Sequence, residues 1–346
     1  MSDINKIIRN TAVSSRVRLA RNIEGYVFPA KLKNAADAER IISDTINCIG
    51  ELKGYKFYKM SNMKSAAKEA LAERMLISGA LITSPYGAAL TDGDEKISVM
   101  FHEEDHIRQQ CILSFLSLKE AYLKLKKIDD EICVKLNIAK DKQFGYLTAC
   151  PSNLGAGLRA SVMLFLPALT AAKKMKSVTE YLMSRGLTVR GVYGEGSGFD
   201  GYMCQISNRS SFRKEAEDII GAVESAALDV IIFEHEERQR AINNDEYGII
   251  DETHRAYGLL TNAVRMSYGE ALELLSRLKF GVVSGITNLE NPSILDTLIT
   301  IIKPSSLVNS AGRELDSEER DLYRAHIMRE NLKEIRLKIK TPTVRF

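Results

Sequence analysis

Five arginines stand out by their surroundings. Arg16, Arg18, Arg108, Arg159 and Arg190 lie beside strand-like or loop segments with glycine, serine or acidic neighbours. Any one of them is by default a solvated surface charge. As a set they suit a polyphosphate, because a planar guanidinium binds phosphate oxygens through two parallel hydrogen bonds. Such a cradle holds a nucleoside triphosphate without a Walker lysine. Carboxylates supply the second kind of chemistry. Glu103, Glu104 and Asp105 are consecutive. A run of this kind is ordinarily a solvated helix N-terminus favoured by the helix dipole; the functional alternative is a carboxylate aimed at a cationic substrate. Glu195, in the glycine-rich run Tyr193-Gly-Glu195-Gly, is another such group. Paired carboxylates and an arginine cradle together point to phosphoryl transfer onto a cationic nitrogen.

Other motifs carry less. Gly196-Ser-Gly198-Phe-Asp-Gly201 fits G-x-G-x-x-G, but that pattern binds pyrophosphate only where it opens a helix, and Tyr202 to Ser207 reads as a strand. A mobile glycine loop beside an active site is the better expectation. No G-x-x-x-x-G-K-[ST] loop is present, nor an H-R-D or D-F-G set, so P-loop and ordinary protein-kinase mechanisms have no support. Asn208-Arg209-Ser210 matches a glycosylation sequon and reads as a turn and helix cap. Five scattered cysteines form no Cys-x-x-Cys pair, which speaks against a disulfide framework or zinc site and for a reducing, cytoplasmic setting. A net charge of +3 is too mild to argue for direct nucleic-acid binding. No apolar run approaches the roughly 18 residues of a membrane helix, and the first residues lack the apolar stretch of a secretory signal.

The elements that must position these groups read as an α+β pattern. Ala35 to Leu52 repeats Ile41, Ile42, Thr45, Ile46 and Ile49 on one helical face. Lys96 to Met100, Gly145 to Ala149, Arg159 to Leu166, Leu187 to Tyr193 and Met203 to Ser207 read as strands. Ile107 to Leu136 reads as mostly helical, Val178 to Arg185 as a helix, and Ser211 to Arg240 as a long helix with Ser210 or Ser211 as its N-cap. The strands are expected to form one antiparallel sheet flanked by helices. After Asn243 the texture changes to helical segments punctuated by Gly248, Gly258, Gly269 and Gly281. The expected domains are therefore residues 1–243, catalytic, and 248–346, helical.

Several longer motifs occur in order: Ser14-Ser-Arg16-Val-Arg18-Leu-Ala-Arg21-Asn22, Glu103-Glu-Asp-His-Ile-Arg108, Cys150-Pro-Ser-Asn-Leu-Gly155, Arg159-Ala-Ser-Val162, Arg190-Gly-Val-Tyr-Gly-Glu195-Gly and Gln205-Ile-Ser-Asn208. Over about residues 11–240 they resemble the phosphagen (guanidino) kinase family. Two features favour its bacterial protein-arginine kinase branch. Only about a dozen residues precede the first motif, so no counterpart is expected of the helical N-terminal domain of creatine and free-arginine kinases. Arg320-Asp-Leu-Tyr-Arg324-Ala325 resembles the R-D-x-x-R-A phosphoarginine-pocket motif of that branch.

The resemblance implies roles. Glu104 is the main catalytic carboxylate and Glu195 its partner across the guanidinium. The ATP-binding set is Ser14, Ser15, Arg16, Val17, Arg18, Met75, Arg108, Arg159, Ala160, Ser161, Val162, Met163, Arg190, Gly191, Val192, Tyr193, Gly194 and Glu195. Cys150 matches the active-site cysteine, although a lone cysteine is more often an inert buried residue. Arg320, Asp321, Arg324 and Ala325 form an allosteric phosphoarginine pocket. Mg²⁺ arrives with ATP, with no protein ligand assigned. Two residues depart from the family pattern: His102 replaces the usual Asn before the acidic cluster, and Met75 replaces a His near the adenine. The implied activity is ATP-dependent phosphorylation of protein arginines in bacterial stress response and protein quality control. The implied setting is a cytoplasmic homodimer working with a zinc-containing activator protein, a stress-response repressor and a Clp protease complex. The alternatives are a kinase for free arginine or another small guanidine, and a catalytically degenerate adaptor that only reads phosphoarginine.

Overall fold

The structure, a computed structural model, describes residues 3–50, 54–191, 200–289, 292–333 and 338–339. Its centre is an eight-stranded sheet: β1 Ala12–Arg21, β2 Lys56–Lys59, β3 Ala88–Thr91, β4 Ile97–Phe101, β5 Ile107–Ser114, β6 Leu158–Phe165, β7 Leu187–Arg190 and β8 Met203–Asn208. The spatial order is β2-β3-β4-β5-β1-β6-β8-β7, with every neighbouring pair antiparallel. The α+β reading with an antiparallel sheet and a helical C-terminal region is what the chain adopts.

Alternation decides which face is which. In β6, Leu158, Ala160, Val162 and Leu164 point one way into the main core, with Val17 and Leu19 of β1 and Cys111 and Leu113 of β5. Helices α4 (Leu118–Lys135), α5 (Met175–Ser184) and α6 (Ala216–Asn262) cover most of that face. They contribute, among others, Leu125, Leu182 and the α6 stripe Ile219, Val223, Ala226, Val230. Helices α1 (Asp3–Thr11), α2 (Ala35–Cys48) and α3 (Ser65–Glu73) complete the N-terminal part.

Three sequence expectations are corrected. Gly145 to Ala149 adds no strand to this sheet: only residues 145–146 pair, with 140–141, in a separate two-stranded sheet. Ile107–Leu136 is not one helix: residues 107–114 form β5, and α4 starts only at Leu118. Ile107, Gln109, Cys111 and Leu113 are buried while Arg108 and Ile112 are only partly so, a period of two that the Leu, Lys and Glu content downstream obscured. The long helix starts at Ala216, after Glu215, and neither serine caps it. Ser210 Oγ instead accepts from Phe212 N (3.1 Å), and Ser211 Oγ donates to Leu154 O (3.0 Å), so both stitch the preceding turn.

α6 runs to Asn262 but breaks at Asp245 (φ −152°, ψ 65°). There the Asp245 carboxylate accepts from Gly248 N at 2.8 Å, as an N-cap does for a restarting helix. Beyond it, α7 (Tyr268–Val283), α8 (Ser293–Ile301) and α10 (Ser317–Lys333) pack with the end of α6 around Leu260, Leu275, Leu278, Leu298, Ile302 and Met328, while α9 (Pro304–Ala311) lies against α3. This helical region touches the second face of the sheet, where Val283 packs with Met163, Phe165 and Met203.

Candidate active site

Strand register assembles the arginines. Across β1 and its neighbours, Arg18 stands opposite Gln110 and Arg159, Arg16 opposite Ile112 and Ser161, and Ala20 opposite Arg108. Arg190 of β7 stands opposite Gln205 of β8, which also faces Met163 of β6. Because alternate residues share a face, Arg16, Arg18, Arg108, Arg159 and Arg190 all project from the side of the sheet opposite the core. Ser14, Ser161 and Met163 share that face. Ser15, Val17, Ala160 and Val162 do not: they are buried on the core side, and Ser15 Oγ donates to Phe115 O (2.8 Å) and accepts from Ser117 N (2.9 Å). Parity also separates Arg21 from its motif neighbours. It is buried, paired with Asp129 at 2.7 Å and laid over the Tyr146 ring at 3.7 Å.

The cradle is electrostatically expectant. Burial, then the Arg108 and Arg159 cations, push the Arg16 guanidinium down to about 10. Burial, then Arg16, Arg108 and Arg159, hold Arg18 well below the usual arginine range against the opposite pull of Glu103. The buried Nε atoms of Arg16 and Arg18 have no hydrogen-bond partner among the described residues. Buried cations crowded together in this way favour a polyanion that enters. Arg159 donates to Ser207 Oγ at 3.1 Å, which fixes its direction.

The acidic cluster is not a helix N-terminus. It is the turn between β4 and β5, and its three carboxylates have different roles. Glu103 forms an ion pair with Arg108, its side chain 2% exposed. Burial raises its pKa, but Arg108 and hydrogen bonds from Ser78 and the Glu104 amide outweigh this and leave it lowered. Asp105 is buried and accepts from Asn22 Nδ2 (2.6 Å) and Ala149 N (2.7 Å); burial outweighs these bonds and raises its pKa. Glu104, between them, is the exposed one. The turn is pinned by His106, whose Nδ1 accepts from Ile23 N (3.1 Å) and whose Nε2 bonds Val27 O (2.8 Å), and whose amide donates to Asn22 Oδ1 (2.9 Å). His102 is buried with Nε2 on Ala38 O at 3.0 Å, so this departure from the family pattern sits behind the turn.

Beside Arg16 the face turns apolar. Arg16, Met75, Met163, Gln205 and Lys303 are among the residues lining a cavity of 310 Å³. Met75 has φ +62°, and Gln110 Nε2 donates to its carbonyl at 2.5 Å, holding the strained residue in place. Gln205 was noted in the sequence only as the first residue of its motif, and Gln110 not at all, because its segment reads there as helical. Cys150 lies before a short helical turn, its Sγ 3.1 Å from Ser152 Oγ. Gly191 is buried after Arg190. Val192, Tyr193, Gly194 and Glu195, with Gly196 and Gly198, lie outside the described residues.

In α10, Arg320 and Arg324 bond to different partners. Arg320 donates to Leu315 O at 2.8 Å. Arg324, 2% exposed, donates to Ile302 O (3.0 Å), Met266 O (2.8 Å) and Asp321 Oδ1 (2.6 Å). Asp321 is thereby oriented while remaining partly exposed, and Ala325 is buried.

Residues 37–238, over half of the chain, match the family model described as ATP:guanido phosphotransferase, C-terminal catalytic domain, and the chain belongs to that family. Residues 246–343 match the model described as Protein-arginine kinase McsB C-terminal domain. Among curated relatives, protein-arginine kinases of Bacillus cereus (strain AH187) and Bacillus thuringiensis subsp. konkukian are each 38% identical over 329 residues, covering 93% of this chain and 92% of theirs. Among solved structures, the duplicated taurocyamine kinase of Schistosoma mansoni with bound transition state analog components aligns with TM-score 0.58 and 24% identity, over 65% of this chain and 33% of that one. Lombricine kinase aligns with TM-score 0.57 and 20% identity, over 67% and 70%. These last two likenesses concern the fold.

Proposed function

We propose that this chain transfers the γ-phosphoryl group of ATP to arginine side chains of proteins, giving ADP and N-phosphoarginine. The observation that carries the reading is the convergence of Arg16, Arg18, Arg108, Arg159 and Arg190 on one sheet face, with the exposed Glu104 in the turn that leads directly to Arg108. Relatives spanning nearly the whole chain carry the name protein-arginine kinase.

The chemistry follows from the residues. A guanidinium stays protonated at physiological pH and is a poor nucleophile. Glu104 orients one of its nitrogens and accepts a proton as the N–P bond forms. The bond between the γ-phosphorus and the β-γ bridging oxygen breaks, and its electron pair leaves with ADP. The arginines neutralise the transferring group, and positioning supplies most of the acceleration. Glu103 is bound to Arg108 and so aims that arginine rather than serving as the base. By the family resemblance, Glu195 closes on the guanidinium from the opposite side and Cys150 lies close to it. Mg²⁺ enters as part of the nucleotide substrate. Phosphate oxygens and water hold it, and no protein ligand is assigned.

The same resemblance supports residues 1–243 as the catalytic domain and 248–346 as a helical domain that dimerises and reads phosphoarginine through Arg320, Asp321, Arg324 and Ala325. Here Arg324 orients Asp321 toward a guanidinium. It also supports a cytoplasmic setting with a zinc-containing activator, a stress-response repressor and a Clp protease complex as partners. Among the described residues no helix is long and apolar enough to cross a membrane. The test is to supply ATP with either unfolded protein or free arginine. Acid-labile phosphate on the protein at much higher efficiency is the expected result. Comparable efficiency on free arginine indicates a small-guanidine kinase, and binding of phosphoarginine with no transfer indicates an adaptor.

A further inference from the structure

Lys303 belongs to the helical C-terminal region, in the two-residue link, Ile302 and Lys303, between the end of α8 and Pro304 at the start of α9. Its side chain nevertheless reaches the catalytic face. It is 8% exposed, and its Nζ donates to Glu73 O at 3.0 Å, at the end of α3 and two residues before Met75. The same Glu73 caps α9: its carboxylate accepts from Ser305 N (3.0 Å), Ser306 N (2.6 Å) and Ser306 Oγ (2.7 Å). Glu69 adds a bond from Ser305 Oγ at 2.8 Å. A carboxylate on exposed helix N-terminal amides is a favourable pairing, so this staple is specific.

Two cavities meet at this staple. One, of 310 Å³, holds Arg16, Gln205 and Lys303. The other, of 230 Å³, is mostly apolar, and Lys303 lines it too, along with Val13, Ile112, Met203, Leu272 and Ile299. Met75 and Met163 line both. A nucleotide has this polarity: an apolar base at one end and a polyanion at the other. The contact with Glu73 O uses one of the three donors of an ammonium and leaves two for a ligand.

We propose that Lys303 is a nucleotide-contacting residue supplied by the helical C-terminal region, its ammonium pairing with the phosphate end of the nucleotide on the side of the cavity away from the sheet. Nucleotide occupancy and docking of the helical region on the catalytic sheet are then thermodynamically linked, each favouring the other. This rests on the ATP-dependent reading above.

The test uses the full chain and MgADP. Calorimetric affinity is measured for wild type, Lys303→Met, Lys303→Arg and, as a control in the sheet, Arg18→Met. Loss of a hydrogen bond from a charged group predicts MgADP binding weaker by about tenfold or more in Lys303→Met and within about threefold of wild type in Lys303→Arg. In wild type, amide hydrogen exchange over residues 301–308 should slow when MgADP binds, a readout that stands even if the Met variant fails to fold. Unchanged exchange there, or a folded Lys303→Met variant that binds like wild type, overturns the proposal. If Arg18→Met alone is weakened, only the Lys303 assignment falls. If wild type takes no MgADP, the nucleotide-site reading falls with it.

Discussion

Replacing Arg18 by Met should move stability and affinity in opposite directions. In the empty protein the Arg18 guanidinium is buried among Arg16, Arg108 and Arg159, and its pKa is driven well down by burial and by those cations. Met keeps the aliphatic stem's volume and removes a charge that nothing among the described residues matches at Nε. Exchanging a poorly compensated buried ion for an apolar side chain typically stabilises by about 1–4 kcal/mol. At roughly 2–4 °C per kcal/mol for a domain of about this size, the empty variant should melt a few degrees higher. Nucleotide binding loses charge-assisted hydrogen bonds worth about 1.5–3 kcal/mol, or about 10- to 150-fold in affinity. The assay is thermal unfolding of both proteins with and without MgADP, beside calorimetric titration. A lower melting temperature for the empty variant with unchanged MgADP affinity would show that Arg18 is a structural residue and would refute the cradle.

Other consequences are as direct. Glu104→Gln removes the exposed carboxylate, and turnover should fall about 10²- to 10⁴-fold while MgADP affinity stays near wild type; a rate near wild type shows that the base lies elsewhere. Arg159→Lys keeps the charge but loses the fork, so activity should drop clearly, and a neutral result in steady-state kinetics contradicts its place in the cradle. Burial lowers the pKa of both His102 and His106. The unfolded chain therefore binds protons below about pH 6.5 that the folded chain resists, and stability should be full above that pH and lost as pH falls below it. Melting curves from pH 7.5 to 5.5 should show this decline, and it should shrink in His106→Gln. Asp321→Ala with Arg324→Ala should abolish phosphoarginine binding by the full chain in calorimetry; unchanged binding makes the motif a structural staple.

The arginine set was legible in the sequence because polyphosphate recognition needs that residue type, and alternation within strands such as Leu158–Phe165 then puts them on one face. The same alternation separates Arg18 from Arg21 and Ser161 from Val162, a distinction that the family motifs blur by treating contiguous residues as one unit. β5 was hidden because its buried polar residues, Gln109 on Asp129 at the core side and Gln110 on Met75 at the opposite face, dilute the apolar signal. Helical spacing placed Arg320 and Arg324 on one face, yet the carbonyls of Ile302 and Met266, exposed by the ends of neighbouring elements, claim Arg324 for themselves. Lys303 left no local sequence signal at all. Its placement depends on Glu73, 230 residues earlier, capping the helix that follows it.

The central claim is phosphoryl transfer from ATP to an arginine nitrogen of a protein. Phosphorus NMR of the enzyme with MgATP and an unfolded, arginine-containing protein tests it most directly. The account predicts that the ATP γ-phosphate signal declines while a phosphoramidate signal grows on the protein, one for each ADP formed, and vanishes on mild acid treatment. Conversion of the γ-phosphate to inorganic phosphate alone, or to an acid-stable phosphate ester, would contradict it.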